Sequence, residues 1–305
     1  MRTRGFLRRT SAALAVSVAL SLLATACSGG DATAGASPSA GKAGKSGEKD
    51  GAKDGEEAGG KESAGIALPP AHSGFDYQLG APYPPPAGVS VVARDHTERP
   101  APGIYNICYV NAFQAQPGAE KEWDADLLLR DGAGEVVMDE EWGEAMLDVR
   151  TPAKRERIAR KVNTWIDACA AKGYRAVDPD NYDSYTRAPR GLLTADDAKA
   201  FLSLLAAHAH AKGLAIGQKN TAELAPSRKE VGADFAVVEE CGQYDECGDY
   251  TAAFGDHVLV IEYTGQGMER ACEGWGDRID VVRRDLDLVA RGDEGYRYET
   301  CDGIG

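Results

Sequence analysis

The sequence predicts an α/β protein: a (β/α)8 barrel of the TIM type that forms a single catalytic domain after a disordered tether. Two helix–strand units repeat, because Lys172-Gly173 and Lys212-Gly213 each end a helical pattern just before an apolar run. Four consecutive apolar runs then end in carboxylates or amides, and the active sites of such barrels lie at the C-terminal ends of the strands. An open doubly wound sheet is the second choice, since the sequence has neither a G-x-G-x-x-G nor a P-loop glycine pattern.

The first 27 residues have the pattern of a secretory signal. Four arginines precede an apolar run at 12–23, and Ala-Thr-Ala-Cys follows it. This lipobox-like ending predicts cleavage before Cys27 and attachment of a lipid to it. We therefore expect the protein on the extracellular face of the cell membrane, held through this lipid only. An ordinary cleaved signal with a chance cysteine is the alternative, and it predicts a secreted protein.

Residues 28–69 are small or charged, with almost no large apolar side chain. Such a segment cannot bury enough surface to offset the entropy of ordering, so it is predicted to be a disordered linker. Residues 70–305 are long enough for one sizeable core and are predicted to form the barrel domain.

The chain is acidic, with a formal net charge of −14 that becomes −18 once the four signal arginines are removed. This charge makes nucleic acid an improbable partner and favours encounter with a cationic polymer. Solubility of an exported protein explains the acidity equally well. No obligate protein partner is predicted.

Six cysteines remain besides Cys27, and in an exported protein they indicate disulfides. Local spacing favours Cys241 with Cys247 and Cys272 with Cys301 among the fifteen possible pairings. We expect no zinc site, because there is no C-x-x-C pair and the five histidines are scattered. No metal and no cofactor are predicted.

The strands and helices follow from apolar runs and capping residues. Thr151-Pro152 begins a helix that Gly173 ends, and Thr194 with Asp197 begins a second one as a capping box. Residues 111–149 are predicted to be a long, partly irregular crossover. The eight strands are expected to start at Phe75, Val89, Ile104, Tyr174, Leu214, Phe235, Val258 and Ile279.

The strand that starts at Tyr174 is followed by a cluster of polar residues: Asp178, Asp180, Asn181 and Asp183. Burying several unpaired carboxylates is costly, so they are solvated, hydrogen-bonded or used for chemistry. A solvated turn and an irregular calcium site are alternatives, although the spacing does not match an EF-hand loop.

A second carboxylate pair, Glu239 and Glu240, ends the strand that starts at Phe235. Alternation along a strand directs the two side chains to opposite faces, so only one faces the barrel mouth. Glycosidic cleavage needs two carboxyl groups, one to protonate the leaving oxygen and one to attack or stabilise the sugar. Asp180 and one of these glutamates meet that need. Aromatic residues that could stack on sugars are Tyr77, Trp142, Tyr185, Tyr244 and Tyr263.

Seven motifs in this order resemble glycoside hydrolase family 114, the endo-α-1,4-polygalactosaminidases. They are FDYQL at 75–79, ICYV at 107–110, LDVR at 147–150, VDPDNYD at 177–183, GQKN at 217–220, EECGQYDEC at 239–247 and IEY at 261–263.

The resemblance implies a retaining endo-glycosidase that cuts α-1,4 linkages in galactosamine-rich exopolysaccharide, a cationic amino-sugar polymer. It implies that Asp180 is the nucleophile and Glu239 the acid/base, with their carboxyl groups about 5 to 5.5 Å apart. A lipoprotein that binds oligosaccharide without cutting it is the second hypothesis. The substrate-binding residues implied by the resemblance are Asp76, Gln78, Asp148, Asp178, Asn181, Asp183, Lys219, Asn220, Glu262 and Tyr263.

Overall fold

The computed structural model of the chain describes residues 65–303. The predicted signal, the predicted lipid anchor Cys27 and the linker up to residue 64 lie outside the described residues. Ile66 and Leu68 pack against the barrel, and the Tyr105 hydroxyl donates to the carbonyl of Ala67 at 2.7 Å. The packed chain therefore begins a few residues before the predicted barrel start at Pro70.

The predicted barrel is confirmed: eight parallel strands follow one another around a single sheet, and each starts within two residues of its predicted position. The strands are β1 Phe75–Gln78, β2 Val91–Asp95, β3 Tyr105–Asn111, β4 Gln114–Ala115, β5 Met138–Asp139, β6 Glu144–Met146, β7 Ala176–Asp180, β8 Ala215–Lys219, β9 Phe235–Glu239, β10 Val258–Glu262, β11 Asp280–Arg284 and β12 Tyr298–Thr300. The parallel order is β1-β2-β3-β7-β8-β9-β10-β11, and β12 adds antiparallel to β11.

Side chains complete the closure of the barrel between β11 and β1. Arg284 of β11 donates to Asp76 Oδ1 at 3.0 Å and to the carbonyl oxygen of Tyr77. Tyr298 of β12 donates to the carbonyl oxygen of Phe75 at 3.1 Å. Within residues 65–303, no backbone ladder joins β1 directly to β11, so the barrel is nearly closed.

The two predicted helices form with their predicted caps. The Thr151 hydroxyl accepts from the backbone of Lys154, and Gly173 ends the helix with a φ of 94°. Thr194 and Asp197 form the reciprocal capping box of the second helix. Among the described helices, none has the length and apolar character needed to cross a membrane. The helices are α1 Pro152–Lys172, α2 Ser184–Arg187, α3 Ala195–Ala211, α4 Arg228–Val231, α5 Cys241–Tyr244, α6 Cys247–Phe254 and α7 Gly265–Trp275.

Alternate residues of the barrel strands form two apolar clusters. One fills the barrel interior and includes Phe75, Tyr77, Phe235 and Ile261. The other includes Val177 and lies between the strands and the surrounding helices. This alternation decides which side chain at each strand end faces the barrel mouth.

The crossover between β3 and α1 is more regular than predicted. It carries a three-stranded antiparallel sheet in the order β4-β6-β5, which we call the inserted sheet. Phe113 packs against Phe201 of α3 with ring centroids 4.9 Å apart. The inserted sheet is therefore part of the main core, held by strands of only two or three residues.

Three disulfides are present between residues 65 and 303, and they include both pairs that local spacing favours. Cys241–Cys247 and Cys272–Cys301 join residues that are near in sequence, whereas Cys108–Cys169 joins β3 to α1. The third pair spans 61 residues, a distance over which spacing gives no preference.

Candidate functional site

A cleft of about 440 Å³ opens at the C-terminal ends of the barrel strands. Asp180 ends β7, Lys219 ends β8 and Glu239 ends β9, and all three line the cleft. A second cavity of about 340 Å³ continues from it and shares Glu239 and Tyr263. The strand ends therefore deliver both predicted catalytic carboxylates to one groove.

The ammonium group of Lys219 lies between the two carboxylates. Its Nζ atom is 3.0 Å from Asp180 Oδ1 and 3.3 Å from Glu239 Oε2. These two oxygens are thus separated by at most the sum of the two distances, about 6.3 Å. Lys219 also donates to the Tyr77 hydroxyl at 3.1 Å.

Asp180 is oriented by three donors. Tyr109 donates to Oδ2 at 2.6 Å, and Oδ1 accepts from Lys219 and from the backbone of Asn181 at 2.7 Å. Burial opposes ionisation, but Lys219 and the hydrogen bond from Tyr109 outweigh it and hold the pKa of Asp180 below its usual value. Asp180 is therefore an ionised carboxylate at neutral pH, as a nucleophile must be.

Glu239 is held from two sides. Asn220 donates through Nδ2 to Oε2 at 3.2 Å, while its own Oδ1 accepts from the Glu239 backbone at 2.8 Å. The Tyr263 hydroxyl donates to Oε1. Glu240 follows β9 in a left-handed turn and lines the second cavity only. Glu239 is thus the glutamate that faces the Asp180 carboxylate.

The residue after each of these three strands adopts a left-handed backbone. The φ angles are 64° at Asn181, 52° at Asn220 and 61° at Glu240. Non-glycine residues pay about 1 to 3 kcal/mol for such a conformation, and it persists where surrounding contacts hold it. Left-handed turns therefore follow directly after Asp180, Lys219 and Glu239.

Asp183 lines both cavities and is paired with Arg187, whose Nη2 donates to Oδ1 at 2.8 Å. Burial raises the pKa of Asp183 to about 6. The predicted substrate-binding residues that do line the cleft are Asn181, Asp183, Lys219, Asn220 and Tyr263.

Asp76, Gln78 and Glu262 do not line the cleft, contrary to the prediction. Each lies one position from an inward-facing residue, so alternation turns it away from the barrel mouth. Asp76 is paired with Arg284, and Gln78 accepts from Arg94 at 3.0 Å. Glu262 accepts from the backbone of Gly242 at 2.7 Å. All three are fully buried.

Asp148 and Asp178 are also absent from the cleft lining, for two different reasons. Asp148 pairs with Arg150 at 2.7 Å and Lys154 at 2.5 Å at the start of α1, outside the cleft. Asp178 faces the barrel interior beneath Asp180, where it accepts from Tyr77 at 3.2 Å. Burial raises the pKa of Asp178 to about 7.

The three aspartates after Val177 do not form one cation site. Asp178 binds Tyr77, Asp180 binds Lys219 and Asp183 binds Arg187. In the part of the chain that the structure describes, the compact cluster of potential metal ligands is Cys241, Cys247 and Glu262, whose two sulfurs form a disulfide. This donor set does not offer thiolates to an ion.

Three residues of the site were not predicted as functional: Tyr109, Glu144 and Arg187. Tyr109 lies on the inward face of β3 and is paired with Asp178 of β7. Alignment of β3 beside β7 would therefore have indicated that Tyr109 lies near Asp180. Glu144 comes from the short strand β6, which no periodicity revealed. Of the aromatic residues that were predicted, Trp142 and Tyr244 line the second cavity and are 49% and 64% exposed.

Comparison with known proteins gives the following. The model of glycoside-hydrolase family GH114 matches residues 56–305. The structure is similar to Aspergillus fumigatus Ega3 in complex with galactosamine, with 23% identity, a TM-score of 0.63, and coverage of 79% of this chain and 100% of that one. It is also similar to the glycoside hydrolase domain of PelA from Pseudomonas aeruginosa, with 15% identity, a TM-score of 0.50, and coverage of 72% and 98%. A search of curated protein sequences finds no match.

Proposed function

The chain belongs to glycoside-hydrolase family GH114 and is a glycoside hydrolase, and from this premise we propose that it is a retaining endo-glycosidase acting on α-1,4 linkages of galactosamine-rich polysaccharide. Asp180 attacks the anomeric carbon, and Glu239 protonates the leaving oxygen and then activates water.

The observation that carries this proposal is the placement of the two carboxylates on either side of Lys219. The nearest oxygens of the two carboxylates are at most about 6.3 Å apart. This limit is compatible with the separation of about 5 to 5.5 Å expected between the two carboxyl groups of a retaining enzyme. Inverting enzymes leave about 6.5 to 9.5 Å for a water molecule between the two groups. Because the distance between Asp180 and Glu239 is shorter than the separation in inverting enzymes, it favours direct attack by Asp180 on the sugar.

The charge of the groove supports a cationic substrate. Carboxylates outnumber cations around it, and Arg187 and Lys219, the two cations that line it, are each already paired with carboxylates. Free amino groups of a galactosamine polymer are protonated and would meet this negative potential. The carboxylates that line the two cavities are Glu141, Glu144, Asp180, Asp183, Glu223, Glu239, Glu240, Glu246 and Asp287.

The location proposed from the sequence is the outer face of the cell membrane. The support is the signal pattern of residues 1–27 with its terminal Cys27. Metabolic labelling with a lipid precursor tests it: the parent chain becomes labelled and a Cys27→Ala variant does not. Labelling of both chains, or of neither, removes Cys27 as the anchor.

The activity is tested by incubating residues 65–305 with partly deacetylated α-1,4-galactosaminan and reading the products by mass spectrometry. We expect a ladder of internal fragments from the parent. Asp180→Asn and Glu239→Gln should each reduce turnover by at least about 10³-fold.

Asp249→Asn is the matched control, because Asp249 is exposed on α6, away from the groove. Near-normal turnover by Asp180→Asn would remove that residue from the mechanism. Binding of the polymer by the parent without any products would instead support the oligosaccharide-binding hypothesis.

A further inference from the structure

Glu144 lies at the contact between the inserted sheet and the cleft. It sits on β6 and is 8% exposed. Its Oε2 atom accepts from Asn111 Nδ2 at 2.9 Å and from Asn181 Nδ2 at 3.2 Å. One carboxylate oxygen thus joins the end of β3, the turn after β7 and the inserted sheet.

Asn181 is the residue whose backbone N–H holds Asp180 Oδ1. That N–H belongs to the peptide between Asp180 and Asn181, which leads directly into the left-handed backbone of Asn181, a conformation that an asparagine holds at a cost. Its side chain is fixed by Glu144, by Asn111 Oδ1 at 2.9 Å and by Arg187, which donates to its Oδ1 at 2.6 Å. The strained turn is therefore determined by side chains from other elements.

We infer that Glu144 is a positioning residue for Asp180 and that it acts through Asn181. The inference rests on the proposed role of Asp180 as nucleophile. Without Glu144, the amide groups of Asn111 and Asn181 lose a shared buried acceptor, and the left-handed turn loses one of its three side-chain restraints. Relaxation of the turn then shifts the Asp180–Asn181 peptide and moves its N–H away from Asp180 Oδ1. A nucleophile displaced by about 1 Å costs up to about 10²-fold in rate.

Two other roles for Glu144 lead to different results. If Glu144 binds substrate directly, since it also lines the cleft, its loss raises KM and leaves kcat largely intact. If its charge matters, glutamine is as harmful as alanine. If it positions Asp180 by accepting hydrogen bonds, glutamine is a good substitute because its amide oxygen accepts from the same two donors.

The experiment compares Glu144→Ala and Glu144→Gln in steady-state kinetics on the galactosaminan. Glu144→Ala should lower kcat about 10- to 100-fold with KM within about twofold, and Glu144→Gln should retain kcat within about threefold. Glu140→Ala, an exposed carboxylate of the same insertion, should match the parent. Unchanged kcat in Glu144→Ala, a rise in KM alone, or equal losses in both variants would overturn the inference.

A crystal structure of Glu144→Ala keeps the test independent of turnover. Asn181 should leave the left-handed region, or its N–H should part from Asp180 Oδ1. An unchanged turn overturns the inference even if the parent proves inactive on every galactosaminan. Inactivity of the parent would overturn only the proposed function.

A double variant, Glu144→Ala with Asn181→Gly, should lose no more kcat than Asn181→Gly alone, because the effect of Glu144 is transmitted through the Asn181 side chain. Additive losses contradict that path.

Discussion

The Tyr109 hydroxyl lies 2.6 Å from Asp180 Oδ2, on the strand next to the one that carries the carboxylate. Burial raises the pKa of Tyr109 well above its usual value, so the phenol keeps its proton and acts as a donor at neutral pH. A hydrogen bond to the charged form of a carboxyl group lowers that group's pKa. Tyr109 therefore both orients Asp180 and helps to keep it ionised.

Tyr109→Phe should lower kcat/KM about 10- to 100-fold and move the acid limb of its pH profile to higher pH. The sign follows because loss of the donor raises the pKa of Asp180, so this proposed nucleophile becomes protonated at a higher pH than in the parent. Tyr105→Phe is the control, since that hydroxyl donates to the carbonyl of Ala67. An acid limb at the parent position in Tyr109→Phe would contradict the proposed contact.

Lys219→Met should destabilise the protein by about 3 to 5 kcal/mol at pH 7, because it leaves Asp180 and Glu239 without the cation between them. The loss should be smaller at pH 5, because without Lys219 the pKa of the buried Asp180 rises and this carboxyl group takes up a proton more readily. Urea unfolding at both pH values measures this difference. Lys229→Met, at an exposed position, should change little. Equal losses at the two pH values would show that Lys219 contributes by packing alone.

Asp178→Asn should flatten the dependence of stability on pH. The pKa of Asp178 is about 7 in the folded chain, mainly through burial, and near 3.8 when unfolded. Between these values the folded state holds a proton that the unfolded state releases, so the free energy of unfolding falls as pH rises, by at most about 1.4 kcal/mol per pH unit. The asparagine side chain of the variant cannot titrate, so this slope disappears. Urea unfolding from pH 4 to 8, with Asp249→Asn as control, tests it; identical slopes in parent and Asp178→Asn would refute it.

Arg284→Met should weaken the closure of the barrel by about 3 to 5 kcal/mol, since it leaves Asp76 buried and unpaired. Adding Asp76→Leu should recover part of the loss because no uncompensated charge remains. Arg283→Met removes the neighbouring, partly exposed pair with Glu299 and should cost less than about 1 kcal/mol. Thermal unfolding distinguishes these outcomes, and a similar cost for Arg283 and Arg284 would show that burial of the pair is not decisive.

The barrel and the placement of Asp180 and Glu239 in its cleft could be predicted because their signals are local. Each strand is an apolar run that ends in a polar residue, and Thr151, Gly173 and Thr194 mark the helix ends. Asp180 and Glu239 both stand at the end of such a run. Strand alternation selected Glu239 over Glu240 only in combination with the family resemblance.

The remaining residues depend on partners that are far away in sequence. Asp76 pairs with Arg284, 208 residues later, and nothing near Asp76 reveals that this carboxylate is neutralised inside the fold. The inserted sheet was not predicted, because strands of two or three residues are too short to show the alternation of apolar and polar residues that marks a strand. Glu144 was therefore missed together with the strand that carries it.

The position of β8 between β7 and β9 sets the spacing of the two carboxylates without involving the residues at the rim of the cleft. Asp180 and Glu239 stand on strands two places apart, so the hydrogen-bonded spacing of the sheet, about 4.8 Å per strand, sets the gap between their backbones. Trp142 and Glu141, by contrast, belong to the insertion at the rim. Under the proposed retaining mechanism, exchange of residues 141–142, which leaves Glu144 in place, would thus alter which polymer is accepted while the product keeps the anomeric configuration of the substrate. In this scaffold, substrate choice and stereochemistry can diverge independently.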